Sequence, residues 1–248
     1  MLAGALIAFL VGLAAGSFAT AVAHRVPRGM SIAGPRSQCP TCGAQIGARD
    51  NVPVFSWLLL RGRARCCDAR ISARYPLTEL AVAALFVATA LVHWGDLAEI
   101  AIDWVFVTML AVVTLTDLEQ RIIPNAVLLT GAVLCVAIAT LTDPGGLPER
   151  AIAAVAAGGV LFLVVLAYPK GMGLGDVKLT ATMGLFLGRA VGPAVLIALL
   201  AGSLVGLALI ARHGSQARKM AIPFGPFLAL GGAIAMLAGD QLIDLYLG

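Results

Sequence analysis

Thr116-Asp117-Leu118-Glu119-Gln120-Arg121-Ile122-Ile123-Pro124-Asn125 decides how this chain folds. The stretch closes one apolar run, at 98–116, and opens another, at 125–141, with acids, a base and a proline between them. A run of about 20 apolar residues is what a helix needs to cross a bilayer. Asp117 therefore stands where such a helix meets the membrane surface. A carboxylate there is costly to keep, which makes it a candidate functional residue. A second aspartate is placed in the same way, in Gly171-Met172-Gly173-Leu174-Gly175-Asp176-Val177-Lys178.

Working outward, the pattern repeats along the chain. Of its 248 residues 60% are hydrophobic and 12% charged, and the mean hydropathy is +0.96. These values exclude a soluble domain and predict an all-α, polytopic transmembrane helix bundle. About eight spans are expected, at 2–24, 77–94, 98–116, 125–141, 151–168, 176–188, 191–211 and 223–246. The segment 176–188 is short, and it is kept because the charges require a crossing there. A polar insert at 25–76 separates the first two spans. The expected organisation is a first transmembrane helix (1–24), a cysteine-containing cytoplasmic domain (25–76) and a transmembrane domain (77–248).

With the insert in the cytoplasm, every one of the 17 basic residues except Arg150 and Arg189 falls inside. That bias is the positive-inside rule, and it puts both termini outside. Asp117 and Asp176 then share the cytoplasmic face, where they can meet. The first span lacks a positive segment before it and is followed by Arg25, so it reads as a retained helix rather than a cleaved signal. A pI of about 9.0 needs no nucleic acid, because the excess charge is the arginine-rich insert beside anionic lipid. No Walker loop, dinucleotide fingerprint or His-Glu-x-x-His pair is present.

Two carboxyls brought together share one proton and titrate as a pair. The ionised member can take a proton from water as it attacks a carbonyl, while the protonated member donates to the carbonyl oxygen. Without catalysis, Asp176 would simply cap a helix N-terminus. Gly173 and Gly175 leave the backbone beside Asp176 free to adopt positive φ or to approach a substrate closely. Lys178 either biases the pair or reaches to the interface. Glu119 is read as a solvated charge, Asp103 as an outer-face solvated acid, and His24, His93 and His213 as scattered. Gly202 and Gly206 form a small-xxx-small pair suited to packing within the bundle; the oligomeric state stays open.

Four of the five cysteines lie in the insert: Cys39, Cys42, Cys66 and Cys67. Cys39-Pro40-Thr41-Cys42-Gly43 has zinc-knuckle spacing, and metal suits thiols in a reducing compartment better than a disulfide does. The second half is irregular, because Arg63-Ala64-Arg65-Cys66-Cys67 offers adjacent cysteines. A four-sulfur site, a mixed or incomplete zinc site and no metal all remain open. Cys135 lies mid-span and reads as packing.

Taken together, these residues resemble the bacterial type IV prepilin peptidases. The likeness runs through Gly16-Ser17-Phe18, Arg25-Val26-Pro27, the Cys39–Cys42 knuckle, Asp50-Asn51-Val52-Pro53-Val54, Ser56-Trp57 and Tyr75-Pro76-Leu77-Thr78-Glu79. It continues through the Asp117 segment, Gly173-Leu174-Gly175-Asp176 and Pro223-Phe224-Gly225-Pro226-Phe227. Ala64 stands where the family has its third zinc cysteine, and Thr20 and His24 replace an Asn and a Tyr. The resemblance implies a bacterial inner-membrane aspartic endopeptidase with Asp117 and Asp176 as catalytic pair and Gly173, Gly175 and Lys178 around them. Its substrates would be prepilins or type II secretion pseudopilins, cut after a glycine between a basic leader and an apolar helix. It also implies zinc on Cys39, Cys42 and Cys67, with Cys66 a further candidate. Members with the insert methylate the new N-terminus using S-adenosylmethionine, whereas members without it are peptidases only. Glu79 is characteristic of the family, and is expected to pair with an arginine of the insert or to assist methyl transfer. The competing classes are a proton-coupled transporter and a catalytically silent assembly factor.

Overall fold

The computed structural model describes residues 1–34, 37–39, 41–169, 171–214 and 222–247, with the side chains of 245–247 left out of account. Arg36, Lys170, Arg218 and Lys219, counted above among the inside charges, lie outside them. The described residues are helical, without a strand, in the order α1 (Leu2–Arg25), α2 (Phe55–Leu59), α3 (Arg74–Val92), α4 (Leu97–Gln120), α5 (Asn125–Thr142), α6 (Leu147–Ala167), α7 (Leu174–Leu187), α8 (Val191–His213) and α9 (Gly225–Leu247). Among the described residues, seven stretches are long and apolar enough to cross a membrane. One of them, Leu174–His213, contains both α7 and α8. The chain is thus a multi-pass helical membrane protein. It divides into two compact units, Met1–Leu91 and Val92–Gly248.

In the first unit, α1 and α3 run antiparallel in backbone contact. A Cβ on Gly12 would stand 2.6 Å from Ala83 Cα, and one on Gly16 2.6 Å from Glu79 Cα. Small residues are what let two helices approach so closely in a bilayer, where apolar surface alone gives no drive to associate. The insert joins the ends of this pair and carries two short tongues, closed by the antiparallel bridges Gln38–Gln45 and Arg63–Arg70.

In the second unit, α6 and α7 form one antiparallel pair and α8 and α9 another. Gly158 faces Ala181 and Gly184 faces Ala154, while Gly231 faces Ala194 and Gly239 faces Ala190. Phe106 and Phe186 stack with ring centroids 4.7 Å apart, and the core around them includes Leu179, Met183 and Leu228. Of the expected small-residue pair, Gly202 packs on Phe224 and Phe227, whereas Gly206 has nothing within 4 Å.

The expected short span is a distinct helix. With 14 residues α7 is about 21 Å long, less than the ~30 Å of bilayer hydrocarbon. It ends at Gly188, whose φ of +53° suits glycine and lets the chain reverse into α8. The reversal exposes carbonyls that have no partner within the helix. Arg150 of α6 satisfies them, donating to Leu185 O (3.2 Å) and Phe186 O (2.7 Å), while its other Nη meets Glu99 at 2.7 Å. Glu149 accepts from the Arg189 backbone N–H across the same turn. Arg150 therefore departs from the inside bias for a reason, since it closes the buried end of a short helix.

Two further expectations change here. Asp103 is buried rather than solvated, and His93 is not isolated: its Nδ1 lies 2.8 Å from Asp103 Oδ2. The pair is ten positions apart across the α3–α4 turn, a separation no local spacing rule picks out. Asp96 caps α4 by accepting from the N–H groups of Ala98 and Glu99.

Candidate active site and cysteine cluster

Asp117 sits in the last turn of α4, only 6% exposed. The helix stops four residues later at Arg121, which takes φ +55° and returns its N–H to Asp117 O. Asp176 occupies the third position of α7, reaching back so that its Oδ2 accepts from Gly173 N–H at 3.3 Å. The helix-capping role is thus real, and it orients the carboxyl. The two carboxyls are near enough for their charges to interact. One comes from the end of a helix and the other from the start of another, so opposite termini meet at one end of the unit.

Two contacts tie the segments together. A Cβ on Gly175 would press on Ile123 at 3.3 Å, so the glycine permits close packing against the chain that follows Asp117. Lys178 Nζ donates to Asn125 Oδ1 at 3.1 Å, linking α7 to the first residue of α5. That tie is a contact the sequence did not suggest, beside the two roles weighed for Lys178. The positive φ expected of Gly173 and Gly175 is also absent: Gly173 has φ −82° and Gly175 lies within helical α7.

A residue that sequence reasoning passed over completes the arrangement. Gly225, at the start of α9, donates its N–H to Asp117 Oδ2 at 2.8 Å. A Cβ there would lie 2.7 Å from that same oxygen, so no larger residue fits without moving the carboxylate. The Pro-Phe-Gly-Pro context was the available signal, but nothing in it reveals which residue it faces. Oδ2 of each aspartate is thus held by a backbone N–H, and among the described residues Oδ1 of neither accepts a hydrogen bond. Gln120 Nε2 and Thr180 Oγ1, three and four positions beyond the two aspartates, are buried without a partner. Glu119 is exposed, as expected.

In the first unit the four insert cysteines converge, with all four Sγ atoms within 4.8 Å of one another. Cys39 and Cys67 are 3.6 Å apart, Cys42 and Cys66 3.3 Å, and Cys66 and Cys67 3.8 Å. Four thiolates bound tetrahedrally at about 2.3 Å would stand about 3.8 Å apart, so the cluster fits a zinc ion. The two tongues superpose in hydrogen-bond pattern. Cys39 N–H bonds Ala44 O and Gly43 N–H bonds Cys39 O; likewise Ala64 N–H bonds Ala69 O and Asp68 N–H bonds Ala64 O. Ala64 is thus the counterpart of Cys39, Cys67 of Cys42, and Asp68 (φ +56°) of Gly43 (φ +73°). Cys66 supplies from the neighbouring position the sulfur that Ala64 lacks. Both adjacent side chains do reach the cluster, because the turn at Asp68 brings them to it from one tight loop. The Cys39 thiol is pulled down to about 6, chiefly by the backbone N–H groups of Cys42 and Thr41.

Glu79 is buried, and it accepts from Val54 N–H at 2.7 Å rather than pairing with an arginine. Cys135 is buried with its Sγ on Leu185 O, a packing role.

The model of the bacterial peptidase A24 N-terminal domain matches residues 10–93, and that of the type IV leader peptidase family matches residues 104–211. The chain is 37% identical to a prepilin leader peptidase/N-methyltransferase of Aeromonas hydrophila, covering 97% of this chain and 93% of the relative. It is 35% identical to the protein of the same name from Bacillus subtilis (strain 168), covering 97% of each. A relative from Pseudomonas putida, also so named, is 33% identical over 95% of this chain and 91% of its own. No solved structure matches. A chain whose described residues place one aspartate at the end of a helix and another at the start of a second, and which is related over nearly its whole length to such proteins, belongs to the type IV leader peptidase family.

Proposed function

We propose that this protein is a prepilin peptidase that cleaves with Asp117 and Asp176 and then methylates the new N-terminus. The observation that carries the peptidase reading is that two carboxyls within range of each other's charge are each held through Oδ2 by a backbone N–H, with Oδ1 of each unclaimed among the described residues. A pair that shares a proton can work on both partners of a hydrolysis. The ionised Oδ1 takes a proton from water as its oxygen attacks the scissile carbonyl, and the protonated carboxyl donates to the carbonyl oxygen. Collapse of the resulting diol breaks the C–N bond and delivers a proton to the leaving amine. The anchors from Gly173 and Gly225 hold both carboxyls in place throughout. Gln120 and Thr180 offer further donors within one helical turn. The substrate is a prepilin or pseudopilin whose apolar helix lies in the lipid, with cleavage after a glycine at the cytoplasmic face of the inner membrane. Relatedness over both units favours this reading over a transporter or a silent assembly factor.

Mass spectrometry of a co-expressed prepilin tests it. Wild type releases the leader and adds a methyl group, while Asp117→Asn and Asp176→Asn leave the prepilin intact at normal enzyme levels. Leader removal by either Asn variant overturns the two-aspartate reading.

Zinc held by Cys39, Cys42, Cys66 and Cys67 would supply a structural cross-link between the two tongues, and S-adenosylmethionine would supply the methyl group. The superposed tongues support Cys66 as the fourth ligand. Metal analysis of purified protein is expected to find zinc in wild type and in Ala64→Ser, and to lose it in Cys66→Ser. Equal zinc in Cys66→Ser and wild type overturns the assignment.

A further inference from the structure

The insert of the first unit presents an apolar surface that neither the cysteine cluster nor the proposed chemistry uses. Along the five-residue α2, Phe55, Leu58 and Leu59 are 55%, 59% and 82% exposed. Trp57, on the same short helix, turns inward instead, packing on Gly62 and donating Nε1–H to Ile71 O. The helix is therefore two-sided, with its inner face seated on the insert and its outer face apolar and uncovered.

Its depth says what covers that face. The residue that leads into α2, Val54, donates its N–H to Glu79, and Glu79 is in turn in backbone contact with Gly16 of α1. Glu79 is five residues inside the start of α3, and Gly16 is nine residues before the end of α1. At 1.5 Å per residue, α2 begins beside a point about 7 Å inside one spanning helix and about 14 Å inside the other. Around that level the spanning helices themselves expose Phe18, Leu77 and Leu80. An apolar side chain at such a level meets acyl chains, not water. The charge around the helix agrees: Arg61, Arg70 and Arg74 are exposed and have no carboxylate partner among the described residues. Basic residues at an anionic surface are drawn to its headgroups. Val54 itself takes φ +61°, rare for a β-branched residue, and the Glu79 bond fixes it there.

We infer that α2 is an interfacial membrane anchor: Phe55, Leu58 and Leu59 insert among the acyl chains of the adjoining leaflet, and Arg61, Arg70 and Arg74 bind anionic lipid headgroups. The anchor fixes the insert against the bilayer at a second point besides the ends of α1 and α3, a placement typical of short amphipathic helices.

Photo-cross-linking of the full chain tests this. The protein is reconstituted in vesicles of equimolar phosphatidylcholine and phosphatidylglycerol, with Leu59→p-benzoylphenylalanine or, as a control on the exposed tongue, Gln45→p-benzoylphenylalanine. Illumination at position 59 is expected to give adducts of phospholipid mass, several-fold more than at position 45. Arg61→Glu with Arg70→Glu in the Leu59 background is expected to lower that yield about fivefold. A lipid yield at 59 no higher than at 45, or adducts of protein mass in its place, overturns the anchor. An undiminished yield in the arginine variants overturns the headgroup contact.

Discussion

The second unit holds buried charge at both ends, and it treats the two ends differently. At the Gly188 end the buried ionisable groups named above each face a polar partner from another part of the chain. Arg150 lies between Glu99 and two carbonyls, and Asp103 is matched by His93. At the other end two like charges, Asp117 and Asp176, are brought together, with backbone N–H groups as their partners. Lys178, two residues beyond Asp176, is turned to Asn125. Charges that cancel hold a fold together, whereas like charges held close against their repulsion are a reservoir for chemistry. One end of the bundle is built to stay put and the other to react.

The contrast is broken most sharply at the aspartates. Asp117→Asn or Asp176→Asn is expected to lower leader cleavage by at least about a thousandfold. The same variants should keep or slightly raise the thermal midpoint, because each removes a repulsion. A parallel loss of stability and activity would make the pair structural.

Gly225→Ala should come next. The added Cβ displaces Asp117 Oδ2, and a carboxylate misplaced by about 1 Å costs on the order of 100-fold in turnover. Substrate affinity, measured as KM, should change little.

At the opposite end Arg150→Met should reverse the pattern. It strands Glu99 and the carbonyls of Leu185 and Phe186, costing about 2–3 kcal/mol by thermal unfolding in detergent. Cleavage per folded molecule should persist, and Glu99→Gln in the same chain should recover part of the stability.

Asn125→Ala removes the tie between α5 and α7 and is expected to slow cleavage several-fold. Asn125→Asp, which still accepts from Lys178, should restore it.

The smallest effect is expected in the insert. Asp50 is held below its ordinary range by the Arg65 guanidinium that it accepts from. With the folded pKa lowered, its contribution is present above the unfolded value and fades as pH falls through the folded one. Asp50→Asn should therefore lower the thermal midpoint of the insert slightly at neutral pH and leave it unchanged in strong acid.

Much of this was legible beforehand, for identifiable reasons. Apolar runs of near-bilayer length mark the helices whatever their neighbours do, and α7 was found by charge where length alone gave a weak signal. Asp117 and Asp176 stood out because a carboxylate at membrane depth has few ordinary explanations. Gly225 did not, since its importance lies in which oxygen its N–H faces, more than a hundred positions away. Asp103 and His93 were misread as solvated and scattered for the same reason: each is unremarkable alone, and only the turn between α3 and α4 joins them. Of the two reasons weighed for the glycines before Asp176, positive φ is not the one, because neither takes it and Gly175 packs closely on Ile123 instead.

The sequence by itself determined the class of fold, the two carboxylates and the four thiols, because hydropathy, charge and residue chemistry belong to individual positions. Only the tertiary structure decided which oxygen of each aspartate stays free, that Cys66 stands in for Ala64, and that Arg150 closes α7. Most of those are relations between atoms distant in the chain, such as Gly225 with Asp117 and Arg150 with Leu185, set by helix packing and turn geometry that no local pattern encodes.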